Sequence, residues 1–222
     1  MRELILDTET TGLDAEGGDR VVEIGCVEIV NLVPTGGTYH RYINPERPMS
    51  EDAYAVHGLG DAFLADKPVF AELAKEFYDF LGDARVVAHN APFDVAFLNA
   101  ELRRAGFPTI HNDRVVDTLA MARQRYPGAQ ATLDALCRRY GIDNSNRTIH
   151  GALLDAQLLA EVYLELRGGR QPGLTLAGMA GSGVEAYRKT QPRPPRPHAP
   201  SAEELEAHAA MLEKLTDPMW TR

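Results

Sequence analysis

Apolar positions follow a two-residue period near the start of the chain and a helical period further on. The run Leu4-Ile5-Leu6 ends on Asp7, so residues 2–7 read as a buried strand that stops at a carboxylate. Residues 20–30 are β-branched and roughly alternating and predict a second strand, with the turn-forming segment 14–19 between the two. A third strand fits 37–43 and is stopped by Asn44-Pro45. Phe70, Leu73, Phe77, Phe80 and Leu81 then recur at helical spacing and predict a helix over 68–81. A short apolar run at 85–88 predicts a fourth strand. It leads into a helix over 92–105, with Pro92 in its first turn and Gly106 just past its end. Further helical patterns cover about 117–126, 131–140 and 151–167. Strands first, then strands interleaved with helices, predict an α/β fold in which helices cover a mixed sheet.

Past Arg167 the pattern changes. Residues 187–200 hold five prolines and four basic residues with no acidic one, a composition that gives a semi-extended linker rather than a core. The last stretch turns helical again. Ser201 and Glu204 have the spacing of a capping box, and Leu205, Ala209, Leu212 and Leu215 form a stripe before Asp217-Pro218 and Trp220. The organisation expected is a domain over 1–168, a linker over 169–200 and a C-terminal segment over 201–222.

Composition narrows the class. The two cysteines, Cys26 and Cys137, lie far apart without Cys-x-x-Cys spacing. This excludes a disulfide framework and a structural zinc site, and it points to a reducing cytoplasm. The opening apolar run is too short for a signal peptide, and no run approaches the roughly 20 residues of a membrane span. A net charge of −9 is awkward for a nucleic-acid binder, because phosphate contacts usually supply the affinity. Such a chain is expected to rely on a partner to deliver its substrate.

Five residues carry the candidate chemistry. Asp7 and Glu9 are two apart on a strand and so share a face, where unpaired carboxylates repel each other unless a cation joins them. The segment 89–94 follows the fourth strand and ends on Asp94; ordinary capping, with Asn90 as the cap, is the competing reading. His150 and Asp155 lie five apart, about 140° around a helix, so His150 is expected in the loop before the helix and Asp155 on its sheet-facing side. An aspartate among Leu154, Leu158, Leu159 and Val162 is unusual unless it is paired or metal-bound.

Taken together, Asp7-Thr8-Glu9, His89-Asn90-Ala91-Pro92-Phe93-Asp94 and His150-x4-Asp155 resemble the three motifs of the DEDDh exonuclease superfamily, which has a ribonuclease H-like fold. A sister branch carries Tyr-x3-Asp in the third motif. Gly151 stands at that tyrosine position here, so the histidine branch fits. The resemblance implies 3′→5′ hydrolysis with two divalent ions, Mg²⁺ or Mn²⁺, held by Asp7, Glu9, Asp94 and Asp155. Hard oxygen donors suit those ions. It also implies His150 as general base and Thr8, His57, Asn90 and Phe93 as substrate-binding residues, with a packing or turn role for His57 as the alternative.

The region 53–63 and the tail are further similar to the epsilon, or proofreading, subunits of bacterial DNA polymerase III. That likeness implies a single-stranded or frayed 3′ DNA end as substrate. It also implies docking of Leu205, Leu212, Leu215 and Trp220 on the polymerase catalytic (alpha) subunit, with a terminal helix folded back on its own domain as the alternative. Gln171, Leu174 and Leu176 resemble a sliding-clamp peptide, although Ala177 stands where such peptides usually end on an aromatic residue. Two other functions remain open at this point: a free-standing exonuclease acting on RNA or DNA ends, and an assembly subunit with a vestigial site.

Overall fold

The computed structural model describes residues 1–145, 147, 149–169 and 199–214. The chain divides into two units, Met1–Leu174 and Thr175–Arg222; among the described residues the first holds those through residue 169 and the second holds 199–214. In the first unit β1 (Arg2–Thr10), β2 (Val21–Val30) and β3 (Val33–Tyr42) form an antiparallel meander. Helices α1 (Glu51–His57), α2 (Asp61–Leu64) and α3 (Phe70–Leu81) follow, and then β4 (Arg85–Ala88) pairs parallel with β1. After α4 (Ala91–Arg104) a three-residue β5 (Val115–Asp117) adds in parallel beside β4, and α5 (Thr118–Arg125), α6 (Leu133–Tyr140) and α7 (Ala152–Leu166) complete the unit. The sheet order is β3-β2-β1-β4-β5, the mixed sheet expected from the sequence.

β1 is central and apolar on both faces, because a helical layer covers each. Leu4 and Leu6 pack in the cluster that includes residues of α3 and α4, and Ile5 packs in the other, with residues of α6 and α7. This alternation sets the site: odd positions of β1 face α7 and even ones face α4.

Several boundaries differ from expectation. The third strand begins at Val33 rather than 37, and α3 begins at Phe70 rather than 68. The early part of β3, Val33-Pro34-Thr35-Gly36, is exposed throughout and shows no buried face, so pattern alone does not reveal it. Helices α1 and α2 and strand β5 were not anticipated. They are short, and α1 buries only His57, leaving too little apolar periodicity to read.

In the second unit α8 (Ala202–Leu212) opens on the expected capping box: Glu204 N–H donates to Ser201 Oγ at 3.2 Å and Ser201 N–H to Glu204 Oε2 at 2.8 Å. The clamp-like Gln171, Leu174 and Leu176, most of the proline-rich segment, and Leu215 and Trp220 lie outside the described residues. No described helix is long and apolar enough to cross a membrane.

Candidate active site

β1 and β4 run parallel, so their carboxyl ends open on the same edge of the sheet, where α/β folds place ligand sites. Asp7 and Glu9 sit at the end of β1 on the face toward α7. Thr8 turns the other way and meets α4: its N–H and its Oγ1 both donate to Asp94 Oδ1, at 3.1 and 2.7 Å. Asp94, in the first turn of α4, is buried.

Asp155 comes from the first turn of α7 and is only 2% exposed. It reaches β1 because Gly25, opposite Asp7 on β2, carries no side chain. A Cβ at Gly25 would lie 2.2 Å from the backbone of Ala152 and Leu153. His150 lies in the loop before α7, as its spacing required, with its N–H donating to Val56 O at 3.2 Å. Ligand atoms of Glu9, His150 and Asp155 all fall within 4.8 Å of one another; Asp7 and Asp94 are not part of that triple.

The charges are crowded. Burial, followed by Asp94, Glu9 and Asp155, holds the Asp7 carboxyl well above its ordinary value. Burial, then Glu23, Asp155 and Asp94, pushes Glu9 up to about 8. Burial also lifts Asp94 to about 7, against the hydrogen bonds from Thr8. Buried carboxylates that resist ionisation for want of positive charge form the donor set that a hard divalent cation satisfies.

One cation is already there, and sequence reasoning did not single it out. Arg147 donates from Nε and Nη2 to the two oxygens of Asp155, each at 2.6 Å, and from Nη1 to Asp134 Oδ1 at 2.9 Å. Its Nη2 also lies 2.8 Å from His150 Nδ1. Burial raises Asp155, but the bonds from Arg147 and His150 outweigh it and leave this carboxyl below its usual range. The only signal for Arg147 was a cation three residues before His150. Gly25 had a clearer one, a lone glycine inside a strand.

Two cavities flank the carboxylates. One, of about 760 Å³, is lined by Asp7, His89, Asn90, Arg123, Arg147, His150 and Asp155 among others. The other, of about 470 Å³, is lined by Thr8, Glu9, Leu13, Val56, His57 and Phe93 among others. Of the expected substrate-binding residues, Thr8, His57 and Phe93 therefore share one cavity and Asn90 borders the other. Both ring nitrogens of buried His57 are engaged: Nε2 lies 3.2 Å from Thr10 O, and Nδ1 accepts from Leu59 N–H at 3.1 Å. Asn90 makes no side-chain cap, contrary to the capping reading. It adopts the left-handed conformation (φ 66°), and Asp117 Oδ1 instead accepts from the N–H groups of Asn90 and Ala91. The same Asp117 oxygen caps α5 through Leu119 N–H.

A family model described as Exonuclease matches residues 4–163. The DNA polymerase III subunit epsilon of Rickettsia felis is 55% identical over 174 residues, 77% of this chain and 76% of its own length. The chain belongs to the exonuclease family, among the epsilon subunits. Its counterpart in Rickettsia prowazekii is 46% identical over 222 residues, 97% of each chain, so that similarity includes the C-terminal segment. Among solved structures, exonuclease X in complex with 5′-overhanging duplex DNA superposes with a TM-score of 0.56 at 27% identity, covering 73% of this chain and 89% of that one. The activity is that of a 3′→5′ exonuclease, and the family depends on divalent metal.

Proposed function

We propose that this exonuclease trims mispaired nucleotides from the 3′ end of a DNA strand as the proofreading subunit of a bacterial replicative polymerase. The observation that carries the reading is the convergence of Glu9, His150 and Asp155 within 4.8 Å beside half-buried Asp7 and buried Asp94. Asp7, Glu9, Asp94 and Asp155 would hold two Mg²⁺ or Mn²⁺ ions, with Asp94 held in place by the hydrogen bonds from Thr8. Those ions would supply a more acidic attacking water and charge neutralisation at the scissile phosphate.

The chain's own residues do the rest. His150 accepts the proton of the attacking water on an imidazole nitrogen, which lies within 4.8 Å of ligand atoms of Glu9 and Asp155. The new P–O bond forms as the bond to the 3′-oxygen of the penultimate nucleotide breaks, and a nucleoside 5′-monophosphate leaves. Phe93, Val56 and Leu13 offer an apolar wall for the terminal base in the 470 Å³ cavity. His57 adds shape rather than hydrogen bonds, because its nitrogens are committed.

Docking is assigned to the C-terminal segment 201–222, with residues 1–168 as the nuclease domain and 169–200 as a linker. Helix α8 buries none of its residues, and Leu205 is 55% exposed, which leaves Leu205 open to the polymerase alpha subunit; the stripe that the sequence continues through Leu212 to Leu215 and Trp220 would complete the contact. Gln171, Leu174 and Leu176 would engage the sliding clamp.

End-labelled single strands test the chemistry. Mononucleotides should appear from the 3′ end only, EDTA should stop the reaction, and His150→Ala should slow it by roughly 10²–10⁴-fold while metal still binds. Release from the 5′ end, or an unimpaired His150→Ala variant, would overturn the assignment.

A further inference from the structure

Within an acidic chain, the described residues of α5 and α6 present a basic surface. Residues 118–140, which span α5 and α6, contain four arginines and one aspartate, against a net charge of −9 for the whole. Elsewhere in the described residues most arginines are tied to carboxylates: Arg2 to Glu28, Arg20 and Arg104 to Glu101, Arg41 to Glu76 and Arg47 to Asp19. Arg123, Arg138 and Arg139 are exposed, and among the described residues none of the three has a carboxylate within ion-pair distance. Leaving three guanidinium groups unpaired where acidic side chains are plentiful keeps them available to an outside anion.

Their positions give that anion a direction. Arg123 lines the 760 Å³ cavity together with Asp7, His150 and Asp155, and Ala129 and Ala131 form part of the same wall. The intervening residue, Gln130, lines a neighbouring hollow whose other walls are Ala135, Arg138 and Arg139. The 129–131 loop thus borders both the cavity of the catalytic carboxylates and the hollow walled by the two arginines of α6. Arg139 lies over the Tyr126 ring, 4.2 Å from its centroid, and Arg138 Nε donates to Asp134 O at 3.3 Å, so both groups are held on this side rather than free to fold elsewhere.

We propose that Arg123, Arg138 and Arg139 form a phosphate track for the strand being digested, gripping its backbone as it runs from the catalytic cavity over the 129–131 loop onto α6. The occupant is single-stranded DNA, recognised through its phosphates and not its bases. The inference rests on the exonuclease reading and adds the path of the strand upstream of the cut. The track also explains how a chain of this net charge holds a strand at all: attraction is confined to a stripe that leads into the site, while the acidic remainder repels stray nucleic acid.

The test is a salt titration of strand binding on the full chain. Fluorescence anisotropy of a labelled oligothymidylate about 12 nucleotides long, in EDTA to prevent cleavage, gives the dependence of affinity on salt. Each lost phosphate contact on a single strand lowers the logarithmic salt slope by about 0.7, so the triple variant Arg123→Gln, Arg138→Gln, Arg139→Gln should lose about 2 from the slope. Its affinity should fall on the order of 100-fold at 0.1 M salt and converge with that of the parent near 1 M. The matching triple lysine variant should keep the slope, since charge and not fork geometry is at work. With metal restored, hydrolysis of a dinucleotide, too short to reach α6, should be unchanged by the double variant Arg138→Gln, Arg139→Gln, whereas cleavage of the long strand by that variant should show a raised KM. An unchanged salt slope would overturn the track, as would an equal loss on the dinucleotide. If the parent chain cut neither substrate, the exonuclease reading itself would fail, independently of the slope.

Discussion

The crowded carboxylates make a quantitative demand on stability when no divalent ion is supplied. Glu9 lies between Glu23, Asp94 and Asp155 in a buried position, and its carboxyl moves from an ordinary 4.5 to about 8. A carboxyl with a raised folded value contributes stability that is fully present below its unfolded value and lost as pH rises through the folded one. The protein in EDTA should therefore lose stability between roughly pH 4.5 and 8. The ceiling for Glu9 alone is about 4–5 kcal/mol. Asp7 and Asp94 compete for the same protons, so about half of that, ~2 kcal/mol, is the fair expectation for the single site. Glu9→Gln keeps the shape and removes the ionisation. At pH 8 in EDTA the variant should melt about 4–8 °C above the parent, and at pH 5 the two should nearly coincide. Saturating Mg²⁺ or Mn²⁺ should reverse the order, because bound cations favour the ionised carboxylates. Calorimetry across pH checks both halves. A Glu9→Gln protein that melts below the parent at pH 8 in EDTA, or a parent whose stability rises from pH 5 to 8, would refute the reasoning.

Three further outcomes follow, one from the contact at Gly25 and two from the proposed docking of the tail. Gly25→Ala places a Cβ 2.2 Å from the backbone at Ala152 and Leu153, where no rotamer can relieve it, so the start of α7 must retreat. Exonuclease rate should fall about 100-fold for a shift near 1 Å, with a loss of roughly 1–3 kcal/mol in chemical denaturation; a variant at full rate would show that α7 tolerates displacement. Cutting the chain near Thr190 should leave an active nuclease that fails to retain the polymerase alpha subunit in pull-down, and Trp220→Ala in the full chain should cost about 2 kcal/mol of that binding; equal recovery by both lengths would move the docking surface onto the first unit.

The sequence by itself determined where most of the candidate site residues lie. Asp7 and Glu9 were legible because strand alternation is local, His150 and Asp155 because helical geometry forces one into the loop and the other inward, and the capping box of α8 because it spans four residues. A mixed sheet under helices was legible from the order of periodic segments. What the tertiary structure alone decided depends on groups that meet across the fold. Which face of β1 looks at α7 follows from packing two helical layers on one strand, and it hands Thr8 to Asp94 while Asp7 and Glu9 turn to Asp155. Asp117, not Asn90, satisfies the start of α4 because β5 pairs beside β4, a contact invisible in a three-residue strand. Arg147 reads as one more exposed cation until α6 and α7 bring Asp134 and Asp155 to opposite ends of its guanidinium. Gly25 is an ordinary glycine until the backbone of α7 lies against it. Local periodicity encodes which residue types an element presents, whereas partners from distant segments are fixed only when burial and chain closure select one arrangement of those elements.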